Sequence, residues 1–207
     1  IVLRHPEAES IRTATRFLNV PVINGGNGAE EHPTQAFLDL FTIREELGTV
    51  NGLTITFMGD LKYGRTVHSL VQLLCHYNIK VQLVSPGALA LPAEFRALLA
   101  SQGKLKLVTE ELTPELLADT DVLYCTRVQK ERFDTVEEYE RLANVYRVDN
   151  SVLAQCKNHM CIMHPLPRNA EIAEEVDFDH RAAYFRQMRY GLYVRMALLL
   201  MVIGVDH

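Results

Sequence analysis

The sequence predicts an α/β fold, a doubly wound parallel sheet joined to the C-terminal part of a second α/β domain. Short apolar runs rich in β-branched residues alternate with segments of helical periodicity, as in parallel sheets covered by helices on both faces. Polar motifs also occur where a predicted strand gives way to a predicted helix. Open α/β sheets bind ligands at these positions, so the same pattern indicates a binding site.

The predicted strands are runs such as LTITFM and IKVQLV, in which β-branched residues predominate. They fall near residues 1–4, 21–23, 53–58, 79–84, 104–108, 121–125 and 160–163. The predicted helices fall near residues 8–18, 33–47, 65–77, 92–101, 113–118, 135–143, 149–156 and 184–203. Pro33 and Pro92 suit the first helical position, where no N–H is needed. Thr113 is a predicted N-cap, and Gly48 is a predicted helix end.

Composition bounds the class of protein. The chain has 207 residues, is 48% hydrophobic and 23% charged, and carries a formal net charge of −5. This balance argues against a broad nucleic-acid or membrane surface. Four scattered cysteines with no leader sequence favour a reduced, cytoplasmic setting. The most apolar run, Met196–Val205, is too short to span a bilayer.

The two ends of the chain suggest a piece of a larger protein. The sequence opens inside an apolar run, Ile1-Val2-Leu3, with no initiator Met. The helix predicted at 184–203 is apolar nearly all round, so we expect it to be buried on most sides. We expect residues upstream of Ile1 to supply that cover.

The first two candidate binding motifs lie in the first 50 residues. Arg4 follows a predicted strand and could grip a phosphate or carboxylate, although an ordinary surface arginine is the alternative. His32 follows a segment expected to be flexible, 24–28, and opens a helix, where N–H groups lower a histidine pKa. Gln35 lies three residues on and shares its face. A loop histidine and a solvated glutamine are the alternatives.

The third motif, Gly59-Asp-Leu-Lys-Tyr-Gly-Arg65-Thr66, nearly matches a nucleotide-binding P-loop. Arg65 replaces the expected lysine, however, and Asp60 would repel a phosphate. An anion site in which Arg65 grips a carboxylate and Asp60 orients a nearby cation is therefore the favoured interpretation.

Two further motifs follow predicted strands. Arg127 and Gln129 are two residues apart and face the same way in an extended chain, which suits a small polar acid. In 164–168, prolines remove backbone donors and leave carbonyl oxygens to accept from an NH₂ group. Cys156, His159, Cys161 and His164 have metal-ligand types, but their spacing on a helix and a strand does not converge, so no metal is expected. No cofactor motif is found either.

Together these motifs resemble the aspartate carbamoyltransferases. The motifs are His32-Pro-Thr-Gln35, Gly59-Asp-Leu-Lys-Tyr-Gly-Arg65-Thr-Val-His-Ser69, Thr126-Arg-Val-Gln-Lys-Glu-Arg132 and His164-Pro-Leu-Pro-Arg168. The segment Tyr184–Arg195 looks closer to the version fused into the multifunctional eukaryotic pyrimidine-synthesis protein.

The resemblance implies transfer of a carbamoyl group from carbamoyl phosphate to L-aspartate, by a cytoplasmic homotrimer. It implies that Arg4 and His32 are catalytic and contact the carbonyl oxygen. The implied carbamoyl-phosphate site comprises Arg4, His32, Gln35, Pro165, Leu166 and Pro167. The implied aspartate site comprises Arg65, Arg127 and Gln129.

The implied domain organisation has three parts. Residues 1–48 are the remainder of a carbamoyl-phosphate domain with a linking helix, 49–183 are an aspartate-binding domain, and 184–207 are a helix that returns to the first domain. The family's Ser-Thr-Arg-Thr phosphate loop and a loop carrying a lysine do not occur in this sequence, so the isolated chain is expected to be weakly active or inactive. The alternatives are an ornithine-type carbamoyltransferase and a non-catalytic structural or regulatory domain.

Overall fold

The computed structural model describes residues 1–130, 133, 135–143 and 145–204. Its strands are β1 Val2–His5, β2 Ile23–Asn27, β3 Thr54–Met58, β4 Lys80–Val84, β5 Leu105–Thr109, β6 Val122–Cys125 and β7 Cys161–Met163. Its α-helices are α1 Ser10–Thr15, α2 Pro33–Leu47, α3 Arg65–Leu74, α4 Ala93–Ser101, α5 Pro114–Asp119, α6 Val136–Ala143, α7 Asn150–Leu153 and α8 Tyr184–Ile203. Short 3₁₀ turns occupy Gly87–Leu89 and Glu174–Phe178.

The strands form two parallel sheets, which confirms the predicted α/β class. β1 pairs with β2, and the larger sheet has the order β5-β4-β3-β6-β7. From β3 the chain first builds outward through β4 and β5, then returns to add β6 on the other side of β3. The carboxyl ends of β3 and β6 therefore flank a topological switch point, where such sheets open a crevice for ligands.

Residues alternate between two cores along the central strands. In β6, Val122 and Tyr124 join a core that includes side chains of α2, α3 and α4, whereas Leu123 and Cys125 join the core on the opposite face. This is the period-two alternation of a pleated strand covered on both faces. The sheet is held rigid from both sides, so the loops at its carboxyl edge start from fixed positions.

Local signals in the sequence set several helix boundaries. α2 and α8 have the predicted bounds, α2 ends at Gly48, and the Thr113 hydroxyl accepts from the backbone N–H of Leu116 at the start of α5. Pro92 precedes α4 instead of opening it.

The prediction that the segment before His32 is flexible was wrong. That segment lies largely within β2, which extends from Ile23 to Asn27 and pairs with β1. Pairing with β1 satisfies the backbone and overrides the low strand propensity of the two glycines.

Most of α8 is exposed in the described structure, and the expectation that residues upstream of Ile1 cover it stays a prediction. Of its side chains only Tyr184, Gln187 and Gly191 are buried, while Met188 is 63% and Met201 is 76% exposed. The helix packs along α2 and also contacts β7, and its other apolar side chains are largely exposed in the described structure. No helix in the described part of the chain combines the length and apolarity needed to cross a bilayer.

Candidate active site

A cleft of about 710 Å³ opens at the carboxyl ends of β1, β3, β6 and β7. All nine candidate residues from the sequence line it: Arg4, His32, Gln35, Arg65, Arg127, Gln129, Pro165, Leu166 and Pro167. Motifs that are up to 163 positions apart in the chain thus converge on one space, between the two-stranded sheet and the five-stranded one.

Arg65 reaches the cleft from the first residue of α3. In the preceding turn, the fully buried Asp60 accepts a hydrogen bond from the backbone N–H of Tyr63 (2.9 Å to Oδ1). Arg65 Nη1 donates to the carbonyl of Gly28 at 2.8 Å. The Asp60 carboxylate therefore holds the turn that presents Arg65, which is a structural reason for an acidic residue in a P-loop-like sequence.

The loops after β3 and β6 touch each other at Gly59. This residue has φ of 112°, and a Cβ atom there would lie 2.2 Å from the Thr126 carbonyl oxygen. Thr126 Oγ1 donates to the carbonyls of Met58 and Asp60 at 3.1 and 3.2 Å. These bonds fix the chain immediately before Arg127. The end of the fourth motif, Glu131 and Arg132, lies outside the described residues.

His32 is the N-cap residue of α2, and its backbone N–H donates to Ser69 Oγ of α3 at 2.8 Å. Burial, with a smaller contribution from the positive charges of Arg65, Arg4 and Arg195, lowers the pKa of His32 to about 4. The sequence predicted a low pKa from the helix terminus, whereas burial is the largest cause. The imidazole is neutral at physiological pH and can donate a hydrogen bond without carrying charge.

The loop after β7 is held by the buried His164. Its Nδ1 accepts from the backbone N–H of Leu166 at 2.8 Å, so Nε2 carries the proton and donates to Glu171 Oε1 at 2.8 Å. Leu166 adopts φ of 55°, a backbone conformation that residues with a side chain rarely adopt. Cys161 lies in the core, and no three His, Cys, Asp or Glu side chains among the described residues form a candidate metal site.

Arg195 also lines the cleft, and sequence reasoning missed it. It projects from α8, where Nη1 donates to the carbonyl of Gly191 at 3.2 Å. A Cβ atom at Gly191 would lie 2.6 Å from that same nitrogen, so the glycine leaves the arginine its space. The signal for Arg195 in the sequence is a lone charge between the apolar residues Val194 and Met196.

The cleft is strongly cationic although the whole chain carries a net charge of −5. Its described lining includes the four arginines Arg4, Arg65, Arg127 and Arg195 but a single carboxylate, Asp60. Low-dielectric walls with one sign of charge concentrate ligands of the opposite sign. The arrangement suits two small anions bound side by side.

Comparison with known proteins gives two family matches. The aspartate/ornithine carbamoyltransferase Asp/Orn-binding domain matches residues 51–202, and the carbamoyl-P binding domain of the same family matches residues 1–45.

The chain is 65% identical to the multifunctional protein URA2 of Saccharomyces cerevisiae over 206 residues, 100% of this chain but 9% of that protein. It is 48% identical to the aspartate carbamoyltransferase catalytic subunit of Leptospira biflexa, covering 99% of this chain and 66% of that one. Among solved structures, aspartate transcarbamoylase of Trypanosoma cruzi with carbamoyl phosphate and aspartate superposes with a TM-score of 0.88. That match has 45% identity and covers 96% of this chain and 65% of that one. The chain therefore spans less than two thirds of the full length of each of these relatives.

Proposed function

This chain belongs to the aspartate/ornithine carbamoyltransferase family, and from that premise we propose that the protein transfers the carbamoyl group of carbamoyl phosphate to L-aspartate. The products are phosphate and N-carbamoyl-L-aspartate, and the latter serves pyrimidine synthesis. The observation that carries the proposal is the convergence of four arginines and a neutral histidine on one cleft.

The reaction needs positioning and charge stabilisation more than a covalent intermediate. The aspartate amine attacks the carbamoyl carbon, the new C–N bond forms, and the C–O bond to phosphate breaks. The proton released by the amine leaves with the phosphate. Negative charge develops on the carbamoyl oxygen, and Arg4 and His32 are the donors proposed for it. Preorganised donors of this kind are the largest single contribution in many enzymes.

Each remaining residue has a proposed contact. Gln35 and the carbonyls of Pro165 and Leu166, with Pro167 adjoining, would accept from the carbamoyl NH₂ group. Arg65, Arg127 and Gln129 would hold the two carboxylates of aspartate. A planar guanidinium binds a carboxylate through two parallel hydrogen bonds, which fixes orientation as well as charge.

The cleft's charge favours aspartate over ornithine. Ornithine carries a cationic side chain, which four arginines would repel, whereas a second carboxylate would be attracted. The high identity to proteins named for aspartate carbamoyl transfer supports the same choice.

The domain division at 1–48, 49–183 and 184–207 stays a prediction. So does a cytoplasmic homotrimer in which a neighbouring subunit adds a lysine to the cleft. Light scattering of the full-length protein would test the trimer, and a mass of one or two subunits would contradict it.

The direct test supplies full-length protein with carbamoyl phosphate and either aspartate or ornithine. We expect N-carbamoyl-aspartate and phosphate in equal amounts, with little citrulline. A protein that turns over neither amine, or prefers ornithine, would contradict the proposal. Thermal unfolding with N-(phosphonacetyl)-L-aspartic acid tests the non-catalytic alternative. A binding domain without activity would gain thermal stability from this ligand but would form no N-carbamoyl-aspartate.

A further inference from the structure

A buried polar cluster lies behind the cleft, centred on Asp39 of α2. The residue is 0% exposed, and three side chains donate to its carboxylate. Gln35 Nε2 and Gln187 Nε2 both reach Oδ1, at 2.9 and 2.6 Å. Tyr124 OH reaches Oδ2 at 2.7 Å. The cluster thereby joins α2, α8 and β6 at a point next to the carbamoyl-phosphate side of the cleft.

Asp39 fixes which end of the Gln35 amide faces the cleft. Oδ1 accepts from Gln35 and from Gln187, so Gln35 offers its NH₂ group to Asp39 and directs its carbonyl oxygen elsewhere. Gln35 also lines the cleft. If the Gln35 amide were flipped, its NH₂ group would face the cleft and meet the carbamoyl NH₂ group, donor against donor. The orientation of the amide therefore decides whether Gln35 can accept from a carbamoyl NH₂.

The same carboxylate oxygen reaches the loop after β7 through Gln187. While Gln187 Nε2 donates to Asp39, its Oε1 accepts from the backbone N–H of His164 at 2.9 Å. His164 opens the loop whose residues Pro165 to Pro167 line the cleft. One atom of Asp39 thus sets the position of both groups that are proposed to accept from the carbamoyl NH₂.

We propose that Asp39 is a positioning residue that makes the cleft selective for the NH₂ group of carbamoyl phosphate, acting on Gln35 directly and on the 164–167 loop through Gln187. This inference rests on the proposed function and adds to it a determinant of substrate choice. A site whose acceptors are aimed at an NH₂ group rejects an analogue that lacks one, because its acceptors then stay unpaired.

Acetyl phosphate is the analogue that isolates this effect. It carries a methyl group in place of the NH₂ and keeps the phosphate and the carbonyl. Loss of the Asp39 contacts should weaken the binding of carbamoyl phosphate and leave the binding of acetyl phosphate nearly unchanged. General damage to the fold would weaken both.

The geometry requires an acceptor at Oδ1, not a charge. In Asp39→Asn, Oδ1 can still accept from both glutamines, and the new NH₂ group can donate to the Tyr124 oxygen. Asp39→Ala removes every one of these bonds. Thr42→Val is the matched control, because Thr42 lies on the same helix, is fully buried, and donates from Oγ1 to the Leu38 carbonyl at 2.7 Å.

The experiment measures the KM of carbamoyl phosphate and the inhibition constant of acetyl phosphate with full-length protein. In Asp39→Ala we expect the KM of carbamoyl phosphate to rise about tenfold and the inhibition constant of acetyl phosphate to rise less than about twofold. Asp39→Asn should stay within about threefold of wild type for both ligands. Thr42→Val should lower thermal stability without changing the ratio of the two constants.

Equal weakening of both phosphates in Asp39→Ala would overturn the proposal, as would an Asn variant as impaired as the Ala variant. If Asp39→Ala does not fold, Gln187→Met removes the bonds of Gln187 to Asp39 and to the His164 backbone N–H while leaving the bond between Gln35 and Asp39. It must raise the ratio of the carbamoyl phosphate KM to the acetyl phosphate inhibition constant. An unchanged ratio there overturns the proposal. Wild-type protein that makes no N-carbamoyl-aspartate would sink the proposed function instead, so the two failures are distinguishable.

Discussion

The guanidinium of Arg65 and the carbonyl of Gly28 form a 2.8 Å hydrogen bond that joins the two sheets across the cleft. The backbone just before Gly28 supports the same guanidinium. A Cβ atom at Gly26 would lie 3.0 Å from both Cζ and Nη1 of Arg65, and Gly26 has φ of 121°. Arg65 thus has one position set by a bond and by close contact with a glycine that cannot be replaced without displacing it.

Gly26→Ala should therefore weaken aspartate binding through Arg65. The methyl group must push the guanidinium away, and the positive φ costs about 1–3 kcal/mol of folding stability for a residue with a side chain. We expect the KM for aspartate to rise about tenfold. Steady-state kinetics and thermal unfolding of the variant measure the two effects.

Gly52→Ala separates the two effects. Gly52 has φ of 86°, but nothing lies within 4 Å of a Cβ atom placed there. It should lose stability in the same range and keep the wild-type KM for aspartate. An equal rise of KM in both variants would show that strain, not contact with Arg65, weakens binding.

Substitution of Arg127 should affect aspartate far more than carbamoyl phosphate. Arg127 lines the cleft directly after β6 and is proposed to hold an aspartate carboxylate. For Arg127→Ala we expect the KM for aspartate to rise about a hundredfold, the scale of a lost charge-assisted pair, with less than about threefold change for carbamoyl phosphate. Arg44→Ala removes the same charge from an exposed position on α2 and should change neither constant. An unchanged aspartate KM in Arg127→Ala would contradict the assignment.

The sequence was sufficient to predict much of the site, because the site is built from strand ends. Arg4 lies near the carboxyl end of β1, and Arg65, Arg127 and Pro165 each follow a strand within a few residues. Parallel strands bring their carboxyl ends to one edge. Local signals also fixed α2, where Pro33 opens the helix and Gly48 closes it. Information of this kind is contained in a few neighbouring residues.

The parts that sequence reasoning missed depend on contacts between distant residues. Arg195 enters the cleft only because α8 packs along α2 and Gly191 leaves room for its side chain. Asp39 looks like an ordinary helical acid until Gln187, 148 positions away, donates to it. The burial of α8 was predicted from apolarity alone. Apolarity indicates that a helix is covered but does not identify the element that covers it.

Glu171 should affect the KM for carbamoyl phosphate, because it holds the loop after β7. Its Oε1 accepts from His164 Nε2 at 2.8 Å and from the backbone N–H of Asn169 at 3.0 Å. Glu171→Ala leaves a buried imidazole N–H unpaired, which costs about 1–3 kcal/mol of stability, and should raise the KM for carbamoyl phosphate about tenfold. Glu171→Gln keeps an acceptor in place and should stay within about threefold. If Glu171→Ala binds carbamoyl phosphate as wild type does, the loop does not need this anchor.

Acid should destabilise the protein through His32, and the sign of this effect can be worked out. The pKa of His32 is about 4 in the folded protein and about 6.5 in an unfolded chain. Above pH 6.5 the residue is neutral in both states and contributes nothing. As the pH falls from 6.5 towards 4, the unfolded chain takes up a proton that the folded protein refuses, so stability is lost across this window. The loss at pH 5 is at most about 2 kcal/mol, less where solvent screens the ring. His32→Asn removes the ionisation but keeps an N–H donor, so its stability relative to wild type should rise by that amount between pH 7.5 and pH 5. Urea unfolding of both proteins at the two pH values measures the difference, and every group that titrates in both cancels from it. A difference that does not change with pH would mean that His32 is protonated equally readily in both states.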